Sequence, residues 1–140
     1  MRDRRLYAGE PSYRDCVAEG ELFLDRDLRQ LVRAIDVWLG KGVLGLEEAD
    51  FHPLGLKHGS IDAEAGSHDD VLAARADRAA MVRDFLATVR DEVLDEERHN
   101  PHNSAETETV RNCLHVILEE SWEHLRFAQR DLDAVDSPKM

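Results

Sequence analysis

The sequence predicts an all-α fold, a helical bundle, and three observations carry that prediction. Apolar residues recur at three- and four-residue spacing through three long stretches. Polar segments holding Gly and Pro part those stretches. No run alternates apolar and polar residues long enough to suggest a half-buried strand. A chain of 140 residues suits one domain with one core.

Taken in order, residues 1–20 contain Gly9, Pro11 and Gly20 and keep no steady period. They are expected to be irregular, with at most one short helical turn. The bundle is expected over residues 21–135, followed by a tail over 136–140. Leu24, Leu28, Leu31, Ile35, Trp38 and Leu39 form the first helical stripe; Gly40 and Gly42 loosen its end and Gly45 is the expected stop. Residues 46–66 carry Pro53, Gly55, Gly59 and Gly66 and read as a long loop, a feature that is often functional. Ser67 and Asp70 resemble a capping box, opening a helix whose stripe is Val71, Arg75, Arg78, Ala79, Val82, Phe85, Leu86, Val89 and Val93. The segment "DEERHNPHNS" reads as a polar break around Pro101, and Asn103 with Glu106 as a second cap-like pair. The last helix is expected from there to about Ala134, roughly 30 residues and about 45 Å long. Its predicted stripe is Val110, Cys113, Leu114, Ile117, Ser121, Leu125, Ala128 and Leu132, with Trp122 packed at the margin. Three helices bury less surface than four, so either the N-terminal segment adds a short fourth or a partner subunit does.

Hydrophobic residues make up 42% of the chain and charged residues 34%, a globular balance. The net charge of −12, from 30 acids against 18 bases, disfavours nucleic acid, whose affinity comes from neutralised phosphates, and equally an anionic membrane surface. No apolar run is long enough to span a bilayer, and "MRDRRLYAGEPSYRDC" lacks the hydrophobic stretch of a secretory signal. Cys16 and Cys113 form no CxxC and are expected to be free thiols, Cys113 packed in the core. These readings imply a cytoplasmic protein.

Seven histidines raise the question of metal. Glu120 and His124, an i,i+4 pair, are presented about one turn apart, as in many zinc or nickel sites built on helices. The plainer reading is a solvated helix face. His52 and His58 flank "PLGLK" in the long loop, as a ligand pair or as side chains bonded to backbone. His99 and His102 bracket Pro101 and carry less signal, His68 falls in a helix-opening cap, and His115 points away from His124. Trp38 is expected to pack at the bundle edge, and Glu119, Glu120 and Glu123 to be solvated, with Arg126 and Arg130 in pairing range of Glu123. No Ser/His/Asp set with usable context, phosphate loop or GxGxxG is present.

Four blocks in register give the chain a family likeness: "LRQLVRAIDVWLGKGVLG", "FHPLGLKH", "VLAARADRAAMVRDFL" and "VRNCLHVILEESWEHLRFAQRDLD". Together, across roughly Glu21 to Val135, they resemble the DinB-like helical-bundle superfamily, in the branch that includes mycothiol-dependent metalloenzymes. The resemblance implies an up-and-down four-helix bundle, often a homodimer, with a divalent metal held by one side chain of the second helix and two of the last. In that family such a metal activates a low-molecular-weight thiol for transfer or isomerisation. Carried over by motif, the helix-two ligand falls on Gln30 of "LRQLV" and the last-helix pair on Ser121 and Leu125 of "ESWEHLRFA". None of these is His, Asp or Glu, so the usual three-ligand site is expected to be absent, with His124 about 100° off register toward the bundle edge. "AEGELF" echoes the segment that follows the family's first helix, which implies a first helix shortened or missing and a groove covered by a second copy or another subunit.

The expectation is therefore a DinB-like bundle without the usual metal, a binding or structural protein with no cofactor. The alternative is a zinc- or nickel-dependent thiol transferase or isomerase whose site is relocated around Glu120 and His124, with His52 or His58. A third reading is a helical subunit of a larger complex.

Overall fold

A computed structural model describes residues 13–56 and 66–136. Its first helix, α1, spans Tyr13–Ile35 and continues without a break as a π-helical segment, Asp36–Val43. The expected irregular N-terminal segment is thus helical from Tyr13 onward. Gly20 costs a helix interior only about 1 kcal/mol, which a long helix rich in Arg, Glu, Leu and Ala absorbs. His58 and the rest of the second half of the long loop lie outside the described residues.

The π segment brings backbone close to two neighbours. A Cβ on Gly42 would lie in ordinary contact with Pro101 Cγ at 3.6 Å and Cys113 Sγ at 3.7 Å, so the segment passes close to both. The Leu44 N–H reaches back five residues to the Leu39 carbonyl at 2.9 Å. Gly45, at φ 74°, then turns the chain out of the helix, as the sequence predicts. Asp36 opens the segment, 1% exposed. Its carboxylate forms an ion pair with the Arg78 guanidinium, Nε at 2.8 Å, and accepts the His52 backbone N–H at 2.8 Å, joining the first helix, the second and the loop between them. Burying a carboxylate is tolerable only with such partners.

Helix α2, His68–Thr88, opens on the expected capping box: Ser67 Oγ accepts the Asp70 N–H at 3.2 Å and Asp70 Oδ2 accepts the Ser67 N–H at 2.9 Å. The Ser67 backbone N–H holds the Asp70 carboxyl below its ordinary range, and the Ser67 side chain adds to the effect. Val71 and Ala74 are buried, whereas Leu86, placed on the inner stripe by periodicity, is 52% exposed. The helix also stops before Val89 and Val93; Val93 belongs to a one-turn helix, α3, Asp91–Leu94.

A β-hairpin follows where the sequence shows only a polar break. Strand β1, Glu97–Asn100, pairs antiparallel with β2, Asn103–Thr109, with Glu97 opposite Thr109 and His99 opposite Thr107. Asn100 makes the turn by accepting the N–H groups of His102 and Asn103, at 2.8 and 3.1 Å. Both strand faces are largely exposed and polar, so no hydrophobic alternation marks them. Asn103 and Glu106 consequently sit inside β2 and cap nothing. The final helix, α4, spans Val110–Asp136 and is capped by Thr109, whose Oγ1 accepts the Asn112 N–H at 3.0 Å.

The core joins Ile35, Leu39 and Val43 of the first helix and its continuation to Val110, Cys113, Leu114 and Ile117 of α4. Met81, Val82 and Phe85 of α2 and Val93 and Leu94 of α3 close it from the side. The architecture is mostly α, as predicted, with the hairpin as its only sheet among the described residues. None of the helices there is long and apolar enough to cross a membrane.

Beyond Ile117 the inner stripe of α4 departs from the predicted one. His124 and Ala128 are buried, at 3% and 6% exposure, while Leu125 is 58% exposed and Trp122 62%. Continuing the row Val110, Cys113, Ile117 at helical spacing reaches His124 before Leu125; hydropathy alone favours the leucine. What reverses that choice is a carboxylate waiting on α1.

Candidate functional site

Asp27 lies on the buried face of α1, 7% exposed, one turn before Gln30. Its Oδ1 is 2.8 Å from His124 Nδ1, a contact that crosses from α1 to α4. The other ring nitrogen, Nε2, faces Glu120 Oε2 at 3.4 Å, the i,i+4 partner on the same helix. The edge of the Phe127 ring closes the remaining side, with centroids 5.7 Å apart and planes at 88°. The hydrogen bond to Asp27 raises the His124 pKa above its ordinary value; burial opposes it, and the charges of Asp27, Glu120 and Glu123 add to the rise.

This ring forms part of the wall of a pocket of about 500 Å³. Gln30, Arg33, Val37, Trp38 and Lys41 of the first helix and its π continuation line one side, at the spacing that puts them along one helical face. Glu120 and His124 of α4 line the other, and Glu48, Leu56, Pro101 and His102 come from the connecting segments. His102, carried by the hairpin turn, packs edge-on to the Trp38 indole with centroids 5.4 Å apart. Arg33 lies over the Phe51 ring at 4.9 Å and 3.7 Å from Glu48. The wall therefore combines bases, acids, an amide and an indole, whereas the whole chain is strongly acidic.

The structure sorts the sequence candidates. Gln30, Glu120 and His124 line one pocket; Ser121 and Leu125 are not among its lining residues. Ser121 Oγ donates to the Ile117 carbonyl at 2.8 Å, the usual outlet for a hydroxyl inside a helix, and Leu125 faces outward. His124 is accordingly in register with the core and not at the bundle edge. His52 is absent from the pocket lining: its Nδ1 accepts the Leu54 N–H at 3.1 Å, the plainer of its two readings. His99 bonds the Ser104 carbonyl at 3.1 Å, His68 pairs with Asp25, and His115 is exposed. Cys113 is fully buried and its thiol pKa is pushed up, by burial most, which suits packing and not nucleophilic chemistry.

Sequence reasoning missed Asp27 and Lys41 and gave His102 little weight. Asp27 had a signal, being three residues before Gln30 on one helical face. For His102 the place beside Pro101 said little, because only the hairpin carries it to Trp38.

As for the metal that the family likeness implies, His124 Nε2 and Glu120 Oε2 have the separation of two donors bonded at about 2.1 Å to one tetrahedral ion. Asp27 on the opposite ring nitrogen is the outer carboxylate that orients metal-binding histidines. The third donor at hand is the neutral amide of Gln30; among the described residues no three His, Cys, Asp or Glu side chains are grouped to share an ion. Two strong donors therefore fit and the third is weak.

The mostly helical frame and the pocket between its first and last helices define a helical-bundle protein with an internal polar site. The model of the DinB superfamily matches residues 26–128, well over half of the chain, and the protein belongs to that superfamily. No curated protein and no solved structure matches it.

Proposed function

We propose that this chain is a metal-binding member of the DinB superfamily whose ion is held by Glu120 and His124, with Gln30 as a neutral third donor. The observation that carries this reading is the His124 ring, buried, oriented by Asp27 at 2.8 Å and set 3.4 Å from Glu120 in the pocket wall. A divalent ion there would supply Lewis acidity and lower the pKa of a thiol or water in the pocket, the chemistry of a thiol transferase or isomerase. The chain's own residues supply the rest. Asp27 fixes the ring and its tautomer, Arg33 and Lys41 bring positive charge to the wall for an anionic group, and Trp38 and His102 offer flat surfaces to a ligand.

A second reading has its own support. The raised His124 pKa and the neutral Gln30 favour an imidazolium between carboxylates in place of the ion, leaving a pocket that binds without metal. Metal content separates the two. Untagged protein purified without chelator and incubated with zinc or nickel should carry close to one ion per chain, lost in His124→Ala. Gln30→His, restoring a strong third donor, should tighten zinc by roughly tenfold, or 1.4 kcal/mol. No metal above background in the parent would establish the metal-free reading.

A further inference from the structure

The pocket between the first and last helices has two chemically different ends. Gln30, Glu120 and His124 stand at one, where the buried ring meets its carboxylates. Trp38, Lys41 and His102 stand at the other, up to about 16 Å further along the first helix at 1.5 Å per residue. Buried Val37 and Leu56 line the wall between them. Charge is not matched evenly along this wall. Glu120 faces the His124 ring at 3.4 Å, and Glu48 stands 3.7 Å from Arg33. Lys41 makes no ion pair among the described residues, so the far end keeps an unmatched positive charge in a chain that carries −12. At the same end the Trp38 and His102 rings stand at 75° to each other, with centroids 5.4 Å apart.

We propose that this far end is a subsite for an aromatic carboxylate, with the ring in the corner made by Trp38 and His102 and the acid on Lys41. Two rings near a right angle form a corner, and a flat group that stacks on one of them meets the other edge-on. Both arrangements are favourable beyond the area they bury, which an aliphatic group of the same size does not gain. The Lys41 ammonium favours an anion, because the carboxylates of the wall already face Arg33 and His124 and leave no counter-charge here for a cation. An acid held at Lys41 aims the rest of the ligand along Val37 and Leu56 toward Glu120 and His124. The substrate class is therefore an elongated aromatic acid whose reacting group lies remote from its carboxylate. Trp38 and Lys41 come from the π segment and His102 from the hairpin turn, so the two irregular features of the fold set this selectivity. The inference rests on the pocket being a ligand site, as proposed above, and it needs no ion, since none of the three residues belongs to the Glu120–His124 pair.

The test is isothermal titration calorimetry of the full chain with three probes of one shape, phenylacetate, phenylacetamide and cyclohexylacetate, first with chelator and then with zinc. Phenylacetate should bind more tightly than either of the others under both conditions. Lys41→Gln should weaken it by roughly fivefold, to the level of the neutral amide, and Lys41→Arg should keep it. His102→Ala should narrow the preference for phenyl over cyclohexyl by roughly threefold or more. Lys41 and His102 are exposed, so both variants should keep the helicity of the parent, which circular dichroism checks. Phenylacetate that binds no better than phenylacetamide overturns the proposal, as does a Lys41→Gln variant that binds it like the parent. The same dependence on Lys41 and His102 in a chain that takes up no zinc supports the subsite although the metal reading has failed. One ion per chain with no preference for the aromatic anion overturns the subsite and leaves the metal reading standing.

Discussion

On the inner face of α4, buried His124 pairs with buried Asp27 on one ring nitrogen and with the half-buried Glu120 on the other; on the outer face of the same two turns, Leu118, Trp122 and Leu125 stand in solvent. The two faces carry the reverse of what hydropathy assigns. A histidine goes inside when a carboxylate across the interface supplies its hydrogen bond, because a paired ion loses far less on burial than a lone one. A tryptophan stays outside when the monomer gives it nothing to pack on. Burial along this helix is therefore decided by partners on other elements and not by the apolarity of its own residues.

Removing one half of the inner pair should have the largest effect. His124→Leu leaves Asp27 buried without its imidazole and should cost about 3 kcal/mol in urea unfolding, whereas Asp27→Leu combined with His124→Leu should recover much of that loss. Thr109→Ala, removing the cap from which α4 springs, should cost about 1 kcal/mol by the same measurement. On the outer face, Leu125→Gln should change the stability of the monomer by no more than about 0.5 kcal/mol.

Acidity sharpens the contrast further. The His124 pKa is raised on folding, so its pairing contributes in full below the ordinary value of 6.5 and loses that contribution as pH rises through the higher folded value. The stability difference between the parent and His124→Gln should accordingly shrink as pH increases above 6.5. The difference between the parent and Leu125→Gln should not follow that curve. A pH-independent His124 difference would mean that folding does not raise the pKa of the ring.

The sequence carried much of the frame. Its helical periodicity located the three long helices, Ser67 and Asp70 marked the start of α2, Gly45 marked the end of the π segment, and the four blocks in register identified the superfamily. Half of the candidate site was legible as well: Glu120 and His124 are one turn apart on any helix, and Gln30 follows from the family pattern. The hairpin was not, since residues 97–109 are polar on both faces and backbone pairing alone makes them strands. Nor was the helicity of Tyr13–Gly20, which follows from continuity with the helix beyond it and not from any stripe of its own.

What the chain determined by itself is local: where helices start and stop, which residues share a face, and which pairs fall one turn apart, all set by backbone geometry and capping. What only the tertiary structure decided is which face turns inward after Ile117 and what gathers around the pocket. Asp27 is 97 residues from His124 in sequence, and no periodicity within α4 announces it. Hydropathy prices each side chain against water alone; the fold prices it against the group on the other side, and here that group is a carboxylate.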